Sequence, residues 1–338
     1  SVKTMAEWMK EGGFSTLGIQ TNSHLVKELG FTRGFDDYCY EHLAGADWVT
    51  ARAVERLAGL KRPFFLYMHF MDAHSPANPP DAYREFFGPL PALSPEEQAA
   101  IPKVFPALLA IQSGEGRETL RILYDAECRF MDDELGKFLT RLETEAPGTL
   151  VIVLADHGEE FWDHGTVGHG NTLFQEQIAV PFFLHGPGIV PNEVADPVST
   201  IHLLPMLAAY LGRSPEAAWQ GRNLLGVPAP DAPVFASTYG FTPSKHSHVE
   251  MVRTGPAKFF FKPSMEMDSL FDLTADPGEK ADLASGQPET VARMRALLTG
   301  QLKDNYARRP GKRNAVELPP ELREQQIKIG YGANDEGK

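Results

Sequence analysis

The 338 residues contain only two cysteines, Cys39 and Cys128, which excludes a disulfide framework. No apolar run approaches the roughly 20 residues that a membrane-spanning helix requires. Positive charge is also short: 32 Lys and Arg stand against 45 Asp and Glu, for a formal charge of -13. That argues against a nucleic-acid surface, which needs clustered Lys and Arg. An anionic substrate would need a metal or local cations to focus the field in a cleft. The chain opens at Ser1-Val2-Lys3 without a Met or a leader-like segment, so the compartment stays open. No internal repeat is visible.

What is present centres on Thr149–Gly170. Leu150 to Ala155 is continuously apolar and rich in β-branched residues, the pattern of a strand buried on both faces in a helix-covered parallel sheet. It stops at Asp156-His157-Gly158, and in open α/β sheets ligands bind beyond the carboxyl ends of the strands. His164 and His169 follow in Gly-flanked turns, giving four groups of metal-binding type. A second apolar run, Pro63 to Asp72, ends in His69, Asp72 and His74. If the two strands are parallel, His74 lies level with the Asp156 turn.

The length allows one large α/β domain or two domains. Helical spacing is expected at residues 2–10, 46–60, 116–144 and 200–212, with a short helix at 172–177. Strands are expected at 16–21 and 179–184. Gly34 to Asp37 reads as a turn, and residues 77–116, rich in Pro and Ala, as an excursion over the cleft. Pro228, Pro230 and Pro233 suggest a linker, which divides the chain into a core, 1–226, and a small antiparallel sheet with a closing helix, 227–305. The charged segment 306–338 is expected to be a loose tail.

Ordered motifs then carry a resemblance. Pro63-Phe-Phe-Leu-Tyr-Met-His-Phe-Met-Asp-Ala-His-Ser-Pro76, Tyr124-Asp-Ala-Glu-Cys-Arg-Phe-Met-Asp-Asp-Glu-Leu135, Leu154-Ala-Asp-His-Gly-Glu159, Gly168-His-Gly-Asn-Thr-Leu-Phe-Gln-Glu176 and Leu270-Phe-Asp-Leu-Thr-Ala-Asp-Pro-Gly-Glu279 occur in sequence. Together they resemble the sulfatases of the alkaline-phosphatase superfamily. The resemblance implies a three-layer α/β sandwich with a mostly parallel central sheet, its first strand missing here, and a small C-terminal antiparallel subdomain. It implies that Asp156 and His157 hold one divalent metal, and that His74 and His169 contact the sulfate group or act in catalysis. Calcium is the family's expected metal, although an imidazole at His157 suits zinc or manganese better. His169 stands where relatives carry either a sulfate-holding lysine or a metal ligand.

The implied substrate is a small-molecule or glycan sulfate ester, and the implied compartment periplasmic or secreted. One departure is large. The family's Cys/Ser-x-Pro-x-Arg motif, whose Cys or Ser becomes the formylglycine nucleophile, does not occur in the sequence. Neither does the Asp-Asp pair expected after the first strand. The chain therefore resembles a sulfatase without its N-terminal segment, expected to be inactive alone and to bind metal poorly. Two alternatives stand beside this reading: a phosphoester or phosphonate hydrolase of the same superfamily, and a non-catalytic binding protein that kept the fold. A chain that folds without the first strand would leave an exposed sheet edge or cleft, which is expected to drive homo-oligomer formation by edge pairing.

Overall fold

The structure is a computed structural model and describes residues 3–105, 107–226, 232–240, 248–308 and 318–329. Most of the expected linker, the first two residues and much of the expected tail lie outside the described residues.

Helix α1 (Met5–Glu11) starts in a capping box: the Thr4 hydroxyl accepts Glu7 N–H while the Glu7 carboxylate accepts Thr4 N–H. Strand β1 (Ser15–Gln20) follows and is the centre of a parallel sheet. It pairs on one side with β2 (Asp37–Tyr40) and, across helix α2 (Ala46–Leu57), on the other with β3 (Phe64–Met68). The turn expected at Gly34–Asp37 thus leads directly into a strand. Its Asp36 carboxylate accepts Thr16 N–H at 2.9 Å and fixes the register.

Period-2 alternation builds the layers. Leu17, Ile19, Phe64, Leu66 and Met68 pack on one face against α2 and the far end of a later helix. Leu17 and Ile19 are wholly buried. Each contributes about 1.5–3 kcal/mol by leaving water. On the other face Phe65 packs with α1.

The excursion contains α3 (Asp81–Phe86) and α4 (Pro95–Ala100). Helix α5 (Gly114–Glu145) follows, capped by the Ser113 hydroxyl and about 48 Å long at 1.5 Å per residue. Its C-terminal half packs on α2 through Phe138 and Leu142. Its N-terminal half, through Leu120, gathers the excursion residues Ala100, Leu108 and Ile111.

Strand β4 (Val151–Leu154) comes next. A hairpin of β5 (Glu160–Phe161) and β6 (Val167–Gly168), helix α6 (Gln175–Ile178) and β7 (Phe182–His185) follow it. Val151 faces α5, and Leu150 and Ile152 face α1 and α7 (Leu203–Tyr210). So β3 and β4 lie between the same two helical layers. Yet β3 pairs only with β1, and β4 pairs only with β7, antiparallel, among the described residues. This corrects the expectation of fully buried strands: every residue of β3 and β4 keeps some exposure. Each strand has one edge without a partner strand. β7 is likewise a half-exposed edge, its Phe183 side chain facing outward.

The C-terminal unit is a four-stranded antiparallel meander of β8 (Val234–Thr238), β9 (Val249–Thr254), β10 (Ala257–Lys262) and β11 (Met267–Asp272). One face receives α8 (Pro288–Ala307) through Met294 and Leu298. The other packs Val249, Met251, Phe260 and Phe271 onto Leu173, Phe174 and Ile178, directly behind the β5–β6 hairpin. Part of the segment expected to be a loose tail forms a helix, α9 (Pro320–Lys328). Ile329 is buried beside it, and Gln325 accepts a hydrogen bond from Tyr40 at 2.8 Å. Its charge density masked it in the sequence.

Candidate functional site

Three chain segments meet at the carboxyl ends of β3 and β4. The first is the loop after β3, running from His69 through His74. The second is Asp156–Glu159, directly after β4. The third is the Gly168-His169-Gly170 turn that leaves the hairpin.

The backbone explains why these segments carry glycine. A Cβ at Gly158 would lie 2.1 Å from the Glu176 carbonyl oxygen. The chain must pass that close because Gly158 N–H donates to Gln177 O at 2.8 Å. Gly168 and Gly170 have φ of +89° and +78°, so His169 is presented between two left-handed positions. The hairpin is held from below by Glu160, which is wholly buried. Its Oε1 accepts His164 N–H at 3.0 Å and Thr166 N–H at 2.9 Å. Its Oε2 accepts from Gln177 Nε2 at 2.9 Å and from the Thr172 hydroxyl at 3.3 Å. The end of β8 joins through the Thr238 hydroxyl, which donates to Gly170 O.

Within this frame three imidazoles converge. The rings of His157 and His169 stack with centroids 3.7 Å apart, and His74 lies edge-on, 5.1 Å from His169 and 6.4 Å from His157. His169 Nδ1 and Glu159 Oε2 are 2.9 Å apart. A carbonyl can only accept, so His157 Nδ1–H donates to Gly158 O at 2.9 Å, and His74 Nδ1–H donates to Ser75 O at 2.6 Å. In its neutral form His157 therefore offers Nε2 as a lone pair, the second-sphere arrangement usual for a metal-binding histidine. Burial pushes His74 down to about 4, and the neighbouring His169 adds to the effect. Burial also lowers His69, opposed by Asp156, and lifts Tyr67 to about 12, helped by Asp156. Tyr67 and His69 share one face of the β3 end and lie in the field of that carboxylate.

His157, Glu159 and His169 each present one donor atom within 4.8 Å of the others. This is a nitrogen, nitrogen, oxygen set. It suits zinc or manganese better than calcium, which prefers oxygen alone. Asp156 stands beside the group rather than in it: its side chain is 77% exposed, and Oδ1 accepts His157 N–H at 3.0 Å.

The sequence-selected residues thus divide. His74, His157 and His169 come together, with Asp156 at their margin. His164 does not join them. It stacks on Phe174 at 3.5 Å, and Nδ1 meets Glu176 Oε1 at 2.5 Å, which gives it a packing role. Glu159 was missed. Glu159 directly follows Asp156-His157-Gly158, but nothing in Glu159-Glu160 tells which carboxylate faces the cleft and which supports the hairpin. Among the described residues no helix is long and apolar enough to cross a membrane.

The sulfatase family model matches residues 1–213. An arylsulfatase of Clostridium perfringens is 23% identical over 310 residues, which is 85% of this chain and 62% of that protein. A Bacteroides thetaiotaomicron Δ4,5-hexuronate-2-O-sulfatase is 29% identical over 178 residues, 47% of this chain and 36% of that one. The chain therefore spans less than two thirds of either relative. Among solved structures, BT4656 in complex with its substrate D-glucosamine-2-N,6-O-disulfate superposes with a TM-score of 0.73 at 16% identity, covering 93% of this chain and 84% of that one. The phosphonate monoester hydrolase of Agrobacterium radiobacter gives 0.68 at 17% identity, covering 90% and 80%. These likenesses show the alkaline-phosphatase-like α/β fold.

Proposed function

The chain belongs to the sulfatase family, and we propose that its site serves metal-assisted hydrolysis of a sulfate ester. The observation that carries this reading is the convergence of His74, His157, Glu159 and His169 at the carboxyl ends of β3 and β4. His157, Glu159 and His169 would hold one divalent cation, with Asp156 available as a further oxygen donor. Such an ion would lower the pKa of a nucleophile and offset charge on the transferring group. The donor set favours zinc or manganese over the calcium that the family resemblance suggests. A third candidate ligand, Glu159, supports tighter metal binding than the two-ligand expectation.

We assign His74 to the sulfate oxygens rather than to the leaving alcohol. Burial keeps it neutral near pH 7, with its one proton on the Nδ1 that faces Ser75 O. Nε2 can donate to a sulfate oxygen only after taking up a proton, which an anion favours. Inorganic sulfate is therefore expected to bind more tightly as the pH falls.

A glycan or small-molecule sulfate ester remains the proposed substrate, in keeping with the sulfated sugars named for BT4656 and the hexuronate sulfatase. The imidazole at His157 and the phosphonate monoester hydrolase neighbour support a second reading, hydrolysis of a phosphoester or phosphonate. A non-catalytic binding role is the third. Formylglycine is the expected nucleophile for the first reading, and these 338 residues alone are expected to give no turnover. Among the described residues β3 and β4 each have one edge without a partner strand, and pairing along such an edge is the proposed route to a homo-oligomer. Reading the coding DNA upstream of Ser1, together with an aryl sulfate assay of the 338-residue chain, tests the proposal. Cys/Ser-x-Pro-x-Arg upstream and an inactive chain are the expected results. Thr or Ser in another context upstream would transfer the reading to phosphoryl chemistry, and robust turnover by the chain itself would contradict an external nucleophile.

A further inference from the structure

The loop that carries His74 is tied down on both sides by carboxyl groups that the proposed chemistry does not use. Before His74, Asp72 Oδ1 accepts the backbone N–H of Ala46, the first residue of α2, at 2.8 Å. After it, Asn78 N–H donates to Oε1 of Glu127, on α5, at 2.7 Å. Helices α2 and α5 pack on each other through Val49, Ala53, Phe138 and Leu142. Both ties therefore refer the loop to one rigid pair of helices.

Neither carboxyl group is placed for its own comfort. Glu127 is only 5% exposed. Its Oε2 and Asp72 Oδ2 are both buried without a hydrogen bond. Burying polar oxygens in this way costs free energy that an apolar residue at either position would avoid. We propose that Glu127 and Asp72 are positioning residues for His74, holding its loop against the α2–α5 pair so that the imidazole stays beside His169. The proposal rests on the hydrolase reading only for the purpose it gives His74, and the geometric relation stands without it.

For the Glu127 tie the electrostatics agree with neutral hydrogen bonding. Burial lifts Glu127 to about 8, with the Asn78 N–H opposing and Asp72 adding. Burial lifts Asp72 to about 6, opposed by Ala46 N–H, with Asp47 on α2 and Glu134 on α5 adding. Near pH 7 Glu127 is thus an uncharged acid, and Gln is its close replacement in shape and in acceptor capacity.

The test reads His74 itself, by NMR of the protein with ¹³C-labelled histidine, the signal being assigned with His74→Asn. Glu127→Gln is expected to leave the His74 signal in place. Glu127→Ala is expected to shift or broaden it while the His248 signal, from the C-terminal sheet, stays unchanged. Asn78→Pro removes the same hydrogen bond from the exposed side and is expected to displace His74 likewise, so the test stands even where Glu127→Ala does not fold. An unmoved His74 signal in Asn78→Pro or in folded Glu127→Ala would overturn the proposal, as would a Gln variant as disruptive as Ala. A displaced His74 in a protein that hydrolyses no ester would support the clamp and count against the hydrolase reading alone.

Discussion

His157 and His169 lie ring on ring, 3.7 Å between centroids and 21° from parallel, although they stand twelve positions apart in sequence. The hairpin β5–β6 makes that meeting possible. It leaves the end of β4 through Gly158, turns back over Glu160, and returns His169 between two glycines of positive φ. Glu159 then reaches His169 at 2.9 Å and completes a three-donor group. The site is therefore only as good as the path of this hairpin.

Gly158→Ala tests that path. A methyl group there would meet the Glu176 carbonyl at 2.1 Å, a backbone atom that cannot step aside. Both thermal stability and metal affinity are expected to fall, stability by about 1–3 kcal/mol, the usual cost of overpacking. Gly165→Ala is the control. Gly165 has φ of +91° but nothing within 4 Å of a new Cβ. It should cost about 1 kcal/mol through backbone strain and leave metal affinity in place. Thermal melts with and without zinc distinguish the two.

The C-terminal sheet is joined to the site region through a wholly buried ion pair, Lys258 to Glu279 at 2.8 Å. Glu279 also accepts Gln175 N–H at 2.7 Å, at the start of α6. Lys258→Met would strand the Glu279 charge and is expected to cost about 3–5 kcal/mol, measured by urea unfolding. Replacing both residues by apolar ones should cost less than the single change. Burial lowers the Lys258 pKa, against the opposing pull of Glu279.

Glu127 makes a pH prediction of definite sign. Its folded value near 8 stands above its ordinary 4.5. Between those values the folded protein holds a proton that the unfolded chain has released. Stability therefore falls as pH rises through that window. Glu127→Gln removes this contribution, so its stability relative to the wild type should improve steadily from pH 5 to pH 8. A difference that stays constant over that range would contradict the assignment of a neutral Glu127.

Much of this arrangement was legible in the sequence, for physical reasons. Leu150–Ala155 and Pro63–Met68 announce strands because unbroken apolar runs of that length have few other fates, and Asp156 and His74 follow their carboxyl ends. Helix α5 announces itself by its spacing. Strand β2 did not, since Asp37-Tyr-Cys-Tyr40 carries no apolar alternation. The β5–β6 hairpin, with two residues in each strand, has no period at all. That is why His164 and His169 looked equivalent, each flanked by glycine. The fold sends the first onto Phe174 and the second to His157. Glu159 and Glu160 likewise differ only in the three-dimensional path.

The most direct test of the site is calorimetric titration of the chain with zinc, manganese and calcium, beside the His169→Ala variant. We expect zinc or manganese to bind more tightly than calcium. We expect His169→Ala to lose at least about 100-fold in affinity, since even outer-sphere changes cost 10–100-fold. Preferential calcium binding, or zinc affinity unchanged by His169→Ala, would contradict a cation site formed by His157, Glu159 and His169.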